Sequence, residues 1–364
     1  MNAKIISSAL WAIFALSQLA LSLLALPQPV MAQGFAGLGA RSEGFSVPQP
    51  QTVLRFPADH GAHPDFRIEW WYLTANLTGP EGTEYGLQWT LFRSALSPLQ
   101  GADVTKQWYG PQLWMGHAAV TSPTAHYTAE RFARGDIGQA GVTQTPFEAW
   151  IDDWSLQGTT LENARLQARG AEFSYDMQLR AQGPLVPHGQ AGYSIKSADG
   201  RASHYYSQPF YEIVGDLVLP QGVVPVTGQA WLDREWSSSP LAVAQTGWDW
   251  FSLSFESGDK LMAFQVRDRS GTGFTSATWI AADGTAIPYG NGALTAAPVQ
   301  VTSVAGRKVP TLWEVRLPDQ GLDIQVKALN PNAWMDVSVP YWEGPVSVAG
   351  SHSGRGYLEM TGYE

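Results

Sequence analysis

QAWLDREWSSSPLAVAQTGWDWFSLSF, residues 229–255, decides how the chain reads. In its first half Trp231, Asp233 and Glu235 alternate with Leu232, Arg234 and Trp236. Side chains of a strand point alternately to opposite faces, so the first three share one side. Asp233 and Glu235 then stand roughly 7 Å apart beside an indole, which is costly to bury unless the carboxyls are hydrogen-bonded or paired. The second half, Trp248 to Phe255, reopens a pattern first met near residue 69. The stretch is both a candidate chemical site and a seam between two similar halves.

Working outward, the earlier pattern is a strand from Arg67 to Leu77. Arg67, Glu69, Trp71, Leu73 and Ala75 lie on one face, and Ile68, Trp70, Tyr72 and Thr74 on the other. A Gly-Pro-Glu-Gly turn at 79–82 leads to a second strand, Tyr85 to Arg93, so the pair reads as a hairpin. Asp249 to Leu253 matches Glu69 to Leu73 at an offset of 249 − 69 = 180. Ser257-Gly258-Asp259 then feeds another alternating strand, Leu261 to Asp268. WIDDWSLQG (150–158) resembles YWEGPVSVAG (341–350), and the halves close on Tyr205 to Leu219 and on Gly356 to Tyr363. Two copies of one β unit, near 50–225 and 240–364, account for these matches. No segment after residue 32 carries helical periodicity over ten residues. Short strands between Gly, Pro, Asn and Asp turns predict a barrel or sandwich, and roughly eight to ten strands per copy suit an up-and-down barrel.

Residues 1–32 read as a signal peptide. Lys4 precedes an apolar run from Ile5 to Leu26, and Val30-Met31-Ala32 places a cleavage site before Gln33. An uncleaved anchor is the competing reading, because the run approaches spanning length. Removing 32 of 364 residues leaves 332, enough for two domains, and losing Lys4 takes the formal charge from −10 to −11. That acidity argues against nucleic acid and anionic membrane surfaces as partners. With no cysteine there is neither a disulfide framework nor a lipid-anchored cysteine, so burial must stabilise the fold. Sixteen Trp, 37 Gly and 24 Pro suit a turn-rich β protein with aromatic-lined interiors.

DHGAHPDFRIEWWY (59–72), GQAWLDREWSS (228–238), YWEGPVSVAG (341–350) and GRGYLEMTGY (354–363) resemble the AttH / carotenoid 1,2-hydratase family. The resemblance covers nearly all of the chain after residue 32 and is closer to the AttH branch, described as predicted secreted hydrolases. It implies two tandem lipocalin-like (calycin) antiparallel β-barrels. From the hydratase branch it implies acid catalysis: a carboxylic acid protonates a double bond and water adds to the cation. There a His-x-aromatic strand and an aromatic-x-Asp strand carry the proton. His204-Tyr205-Tyr206 matches the first and Trp231-Leu232-Asp233 the second, with Tyr206 and Trp231 departing from the family's aromatic types.

The candidate catalytic residues are therefore Asp233, Glu235, His204 and Glu69. Asp233 and Glu235, sharing a face, are expected to titrate as a coupled pair with one pKa raised, as a general acid requires; the bland alternative is pairing with Arg234 or Arg67. His204 would be a strand filler or a partner that sets the pKa of Asp233. Glu69 lies on an apolar face, but Asp249 recurs at its place, which favours a shared structural need. Tyr206, Trp231, Trp71, Trp236 and His117 are the expected substrate-binding residues, against the alternative that such aromatics merely fill a barrel. His60-x-x-His63 with Glu69 fits no strong metal motif, so neither metal nor cofactor is expected. Gly-x-Ser-x-Gly is absent, and Ser237 to Ser239 read as turn material. The domains are expected at 50–225 and 226–364. The expected function is an exported hydratase or hydrolase acting on a hydrophobic substrate, without stable membrane insertion once the signal is cleaved. The alternative is a non-catalytic carrier for a lipid or other hydrophobic molecule, associated with an ABC-type transporter.

Overall fold

The computed structural model describes residues 43–98, 111–135, 137–242, 244–271 and 273–363, and the expected signal peptide lies outside them. The described chain is all-β, as its alternation requires. Its helical pieces are 3-10 turns at Ala58–His60, Pro80–Gly82 and Pro318–Gln320. Among the described residues the strands form two antiparallel sheets, of thirteen and ten strands. The first curves into a near-barrel and the second into a half-barrel.

Both sheets have one topology. In the first, a meander of Ile68–Thr78, Glu84–Ala95, Gln112–Thr121 and His126–Arg134 forms one side. Ile68–Thr78 then pairs with Gly222–Ser237, which pairs with Ala202–Leu219. In the second, Gln245–Phe255, Lys260–Asp268, Phe274–Ile280 and Ala286–Tyr289 form the meander. Gln245–Phe255 pairs with Gly354–Met360, which pairs with Tyr341–Gly350. The repeat is thus visible in the topology, but the correspondence differs from the sequence reading. Tyr341–Gly350 is the counterpart of Ala202–Leu219, not of the Phe147–Ile151 and Trp154–Thr160 hairpin. The expected boundary at 225/226 falls inside Gly222–Ser237, which is hydrogen-bonded to the first sheet along its length. The chain passes between sheets after Ser237.

Strand parity sorts most of the described apolar residues into three large cores, beside a small cluster of Ala119, Met335 and Tyr341. Trp71, Leu73, Ala75 and Leu232 fill the first barrel, and Phe251, Leu253 and Leu358 the second. Ile68, Tyr72, Tyr205, Trp231, Trp250 and Phe264 form a third core between the sheets. Each central strand therefore serves two interiors at once. The sheets approach closely: a Cβ on Gly86 would lie 2.6 Å from the Pro345 ring and the Tyr357 hydroxyl. Asn76 Nδ2 donates to Gly356 O (2.9 Å), and Arg355 Nη1 to Thr78 Oγ1 (3.0 Å), across the seam.

Glu69 ties the first barrel together and is fully buried. Its carboxylate accepts from Arg93 Nε, from Arg234 Nη2 (3.1 Å) and from the backbone N–H of His63 (2.9 Å). Arg93 donates onward to Gln112 Oε1 (2.6 Å) and Phe66 O (2.7 Å). Arg234 donates to Gly61 O (2.6 Å) and lies over the Trp71 ring at 3.7 Å. Asp249 repeats the device in the second barrel with Arg267 (3.1 Å) and Tyr363 (2.9 Å). Removing one member of a buried ion cluster leaves uncompensated charge. Glu69→Gln is therefore expected to cost about 3–5 kcal/mol of unfolding free energy in urea; a loss below about 1 kcal/mol would contradict this assignment.

Candidate active site

Where the two sheets face each other a cavity of about 120 Å³ remains. Trp70, Phe92, Leu241, Trp250 and Phe264 give it apolar walls, and Asp233, Glu235, Glu359, Lys196, His117 and Tyr341 give it polar ones. Strand parity delivers them: Tyr72 stands opposite Asp233 in the register, and Tyr205 opposite Glu235.

Asp233 is 2% exposed. Its Oδ2 accepts from the Tyr205 hydroxyl (2.8 Å), and its Oδ1 from Ser207 Oγ and Trp231 Nε1 (2.7 Å). Desolvation raises its pKa to about 7, although all three hydrogen bonds favour the ionised form; the charge of Glu235 adds to the rise. Ser207 gives its one proton to Asp233, so it must accept from His188 Nε2 (2.6 Å). His188 Nδ1 then accepts from Thr278 (3.0 Å), on the opposite sheet. Burial, and then the charge of Lys196, push the His188 pKa well down, so it is neutral and holds Ser207 in place. Trp250 Nε1 donates to the Tyr205 hydroxyl (3.1 Å), fixing the other donor.

A second carboxyl faces the same cavity. Glu359 Oε1 accepts from Trp248 Nε1 (2.7 Å), and desolvation, with a contribution from the charge of Asp233, raises its pKa to about 7. Glu343, opposite it in the register, accepts from the Tyr72 hydroxyl (2.5 Å) and is pushed well above the carboxylate range by burial and then by Glu359. The chain thus holds Asp233, Glu359 and Glu343 in one water-poor seam, coupled through their charges. Glu235 is different: Lys196 Nζ lies 3.0 Å from it, with that ammonium over the rings of Phe264 (4.2 Å) and Tyr205 (4.6 Å).

Several expected site residues lie elsewhere. His204 and Tyr206 share the opposite face of their strand from Tyr205 and Ser207. His204 packs against Phe66 and Trp236 in the first barrel's mouth, where burial lowers its pKa to about 4; it does not set that of Asp233. Tyr206 meets His60 Nδ1 (2.7 Å), and Trp71 and Trp236 belong to that same interior, Trp236 stacking on His63 at 3.9 Å. Trp231 and His117 do reach the seam, the first as a donor to Asp233 and the second on the cavity wall. Glu69 borders the cavity, but its carboxylate is committed to two guanidiniums. Although burial opposes it, Arg93, His63 and Arg234 hold Glu69 far below the usual carboxylate range, so it has no proton to give. His63 is engaged at both ring nitrogens, by Glu69 Oε2 (3.1 Å) and Asp59 Oδ1 (3.2 Å). Among the described residues no group of three His, Cys, Asp or Glu side chains is placed to hold a metal ion.

Glu359, Glu343, Tyr72, Tyr205 and Lys196 were not singled out in the sequence. One signal was available. Tyr357-Leu358-Glu359 repeats the aromatic-Leu-acid order of Trp231-Leu232-Asp233 on the topologically equivalent strand.

Comparison with known proteins follows this geometry. A crystal structure of an AttH protein from Nitrosomonas europaea is similar over 88% of this chain and 99% of its own, with 32% identity and a TM-score of 0.79. Kievitone hydratase from Nectria haematococca shares the fold at 14% identity and a TM-score of 0.63, over 87% of this chain and 98% of its own. CghA in complex with Sch210972 does so at 12% identity and a TM-score of 0.52, over 88% and 97%. No curated protein sequence matches the chain. The AttH-like family model matches residues 47–363, nearly the whole chain. This protein belongs to the AttH-like family.

Proposed function

We propose that the chain is an exported, hydratase-like enzyme that adds water to a hydrophobic substrate in the cavity between the sheets. The observation that carries this is Asp233: a buried carboxyl on an aromatic-walled cavity, holding its proton near neutral pH. An acid with a pKa near the working pH is protonated often enough to act and releases its proton readily enough to be useful. Kievitone hydratase, a hydratase by name, shares the fold and supports this reaction class.

The chemistry follows from the walls. Asp233 gives its proton to a double bond, forming a C–H bond and leaving a carbocation on the neighbouring carbon. The faces of Trp70, Trp250 and Phe264 and the new Asp233 carboxylate stabilise that cation in a medium of low dielectric. Water attacks the cation, and its surplus proton passes to a cavity carboxylate, Asp233 itself or Glu359. Because the two are coupled, roughly one proton fewer than full loading near pH 7 gives one acid and one base in the same chamber. About 120 Å³ accommodates the reacting end of a molecule rather than a whole long chain; on the order of 150 Å³ holds a benzene. A terminal double bond, as in the carotenoid hydratase branch, suits that size.

Turnover is tested by incubating the chain with terminal and internal alkenes in oxygen-18 water and following label in the alcohol. Asp233→Asn is expected to lower turnover by about 10²–10⁴ with ligand retention by native mass spectrometry unchanged. Wild-type turnover in the variant would overturn the assignment. A wild-type protein that hydrates no alkene but retains a co-purified lipid would establish the carrier reading instead.

The same proton fixes a stability difference. The folded Asp233 pKa is above its unfolded value, so its contribution is complete below about pH 4 and is lost as pH rises to about 7. The stability of wild type minus that of Asp233→Asn is therefore expected to fall across this window, by up to about 1.4 kcal/mol per pH unit. Urea unfolding at a series of pH values measures it; a flat difference would mean that Asp233 holds no such proton.

A further inference from the structure

An ion pair interrupts the aromatic wall of the cavity between the sheets. Lys196 Nζ stands 3.0 Å from Glu235 Oε1 and lies over the rings of Phe264 (4.2 Å) and Tyr205 (4.6 Å). Lys196 is 7% exposed and Glu235 5%, and both line the cavity. The lysine is held from both sheets. Its backbone N–H donates to Arg201 O (2.7 Å), just before Ala202–Leu219. Its carbonyl accepts from Gln245 Nε2 (2.9 Å), at the start of Gln245–Phe255. Glu235 stands opposite Trp70 on one neighbouring strand and Tyr205 on the other.

The pair has hydrogen-bonding capacity left over. An ammonium has three N–H donors and a carboxylate about four acceptor sites. Among the described residues the ammonium meets one carboxylate oxygen; the two rings beside it attract its charge but are weak hydrogen-bond acceptors. Fold stability does not account for the pair, since packed apolar side chains in place of a buried ion pair are often neutral or stabilising. Nor does a hydrocarbon ligand, which would cover both charges without bonding either. What the pair presents is a donor beside an acceptor with no net charge, the complement of a hydroxyl group. A carboxylate fits less well, because it would meet the charge of Glu235 as closely as that of Lys196.

We propose that Lys196 and Glu235 form a subsite for a substrate hydroxyl group: the ammonium donates to its oxygen and the carboxylate accepts its hydrogen. Tyr205 sets where the rest of the ligand lies. Lys196 lies over its ring, and its hydroxyl donates to Asp233 Oδ2 (2.8 Å), so the subsite and the acid stand at two parts of one side chain. A ligand hydroxyl held by the pair brings carbons a few bonds away to the Asp233 carboxyl. The substrate class is therefore an unsaturated alcohol with its double bond close to the hydroxyl, rather than a plain hydrocarbon. The double bond rests on the proposed hydration; the hydroxyl rests on the pair alone.

Isothermal titration of the full chain with three probes tests this. Isoprenol has a terminal double bond, a hydroxyl and as many heavy atoms as benzene. The second probe is the hydrocarbon with a methyl group in place of that hydroxyl, and the third is the corresponding unsaturated carboxylate. Wild type is expected to bind isoprenol at least about tenfold more tightly than either. In the double variant Lys196→Met with Glu235→Leu, that preference is expected to vanish while the hydrocarbon still binds. In wild type, equal affinity for isoprenol and the hydrocarbon, no binding of isoprenol, or tightest binding of the carboxylate would each overturn the subsite. So would a preference that survives in the folded double variant. Should that variant fail to fold, the wild-type comparison carries the test. A preference for isoprenol without oxygen-18 incorporation would sustain the subsite and remove the hydratase reading. Hydration of the hydrocarbon, with equal affinity for it and isoprenol, would do the reverse.

Discussion

A carboxyl group enclosed by rings and lacking a cation of its own keeps its proton, because ionising it would place a charge where water cannot solvate it. That constraint separates two kinds of acid in this molecule. Glu69 and Asp249 occupy equivalent places in the two halves, and both face an arginine inside their own half; two guanidiniums keep Glu69 ionised, while burial outweighs the single Arg267 and raises Asp249 to about 6. Asp233 and Glu359 lie on equivalent strands but two residues out of register, since Glu359 stands opposite Trp250 as Glu235 stands opposite Trp70; both nevertheless face the seam with an indole N–H as donor. The duplication therefore supplies the pair of acids that face arginines inside the two halves, whereas the two that face the seam come from equivalent strands at non-equivalent positions.

The separation works because each central strand has two faces with different duties. In Gly222–Ser237, Arg234 turns inward to Glu69 while Asp233, one residue away, turns to the cavity. The ion cluster and the site thus share a backbone. The rigidity that Glu69, Arg93 and Arg234 give the strand fixes where the Asp233 carboxyl points. Lys196 stands nearest to being a cation in the seam, and Glu235 takes up its charge. That leaves Asp233 and Glu359 without a cation of their own, so burial and then neighbouring carboxylate charge raise both.

Much of the fold was legible, because alternation is a local property. The faces of the Ile68–Thr78 strand, its recurrence at Gln245–Phe255 and the exposure of Asp233 to a shared chamber all follow from parity within a strand. What parity cannot give is the register between strands far apart in sequence. His204 looked like a partner for Asp233, yet pairing places Tyr205 and Ser207 on that face; an error of one residue exchanges the two sides. The same error put Trp71 and Tyr206 at the cavity in place of Tyr72 and Tyr205. Glu359 was missed because WIDDWSLQG was matched to Tyr341–Gly350, which hid the true counterpart of the Asp233 strand. Lys196 and His188 lie in the segment between strands, where no periodicity marks them.

The account stands on the proton at Asp233, and its ionisation can be observed directly. Carbon-13 labelling of aspartate carboxyls, with the Asp233 resonance assigned by its absence in Asp233→Asn, gives the titration midpoint by NMR. A midpoint near 7 is predicted. A midpoint of about 4, in the ordinary carboxylate range, would contradict the account, because the site would then hold no acid at neutral pH.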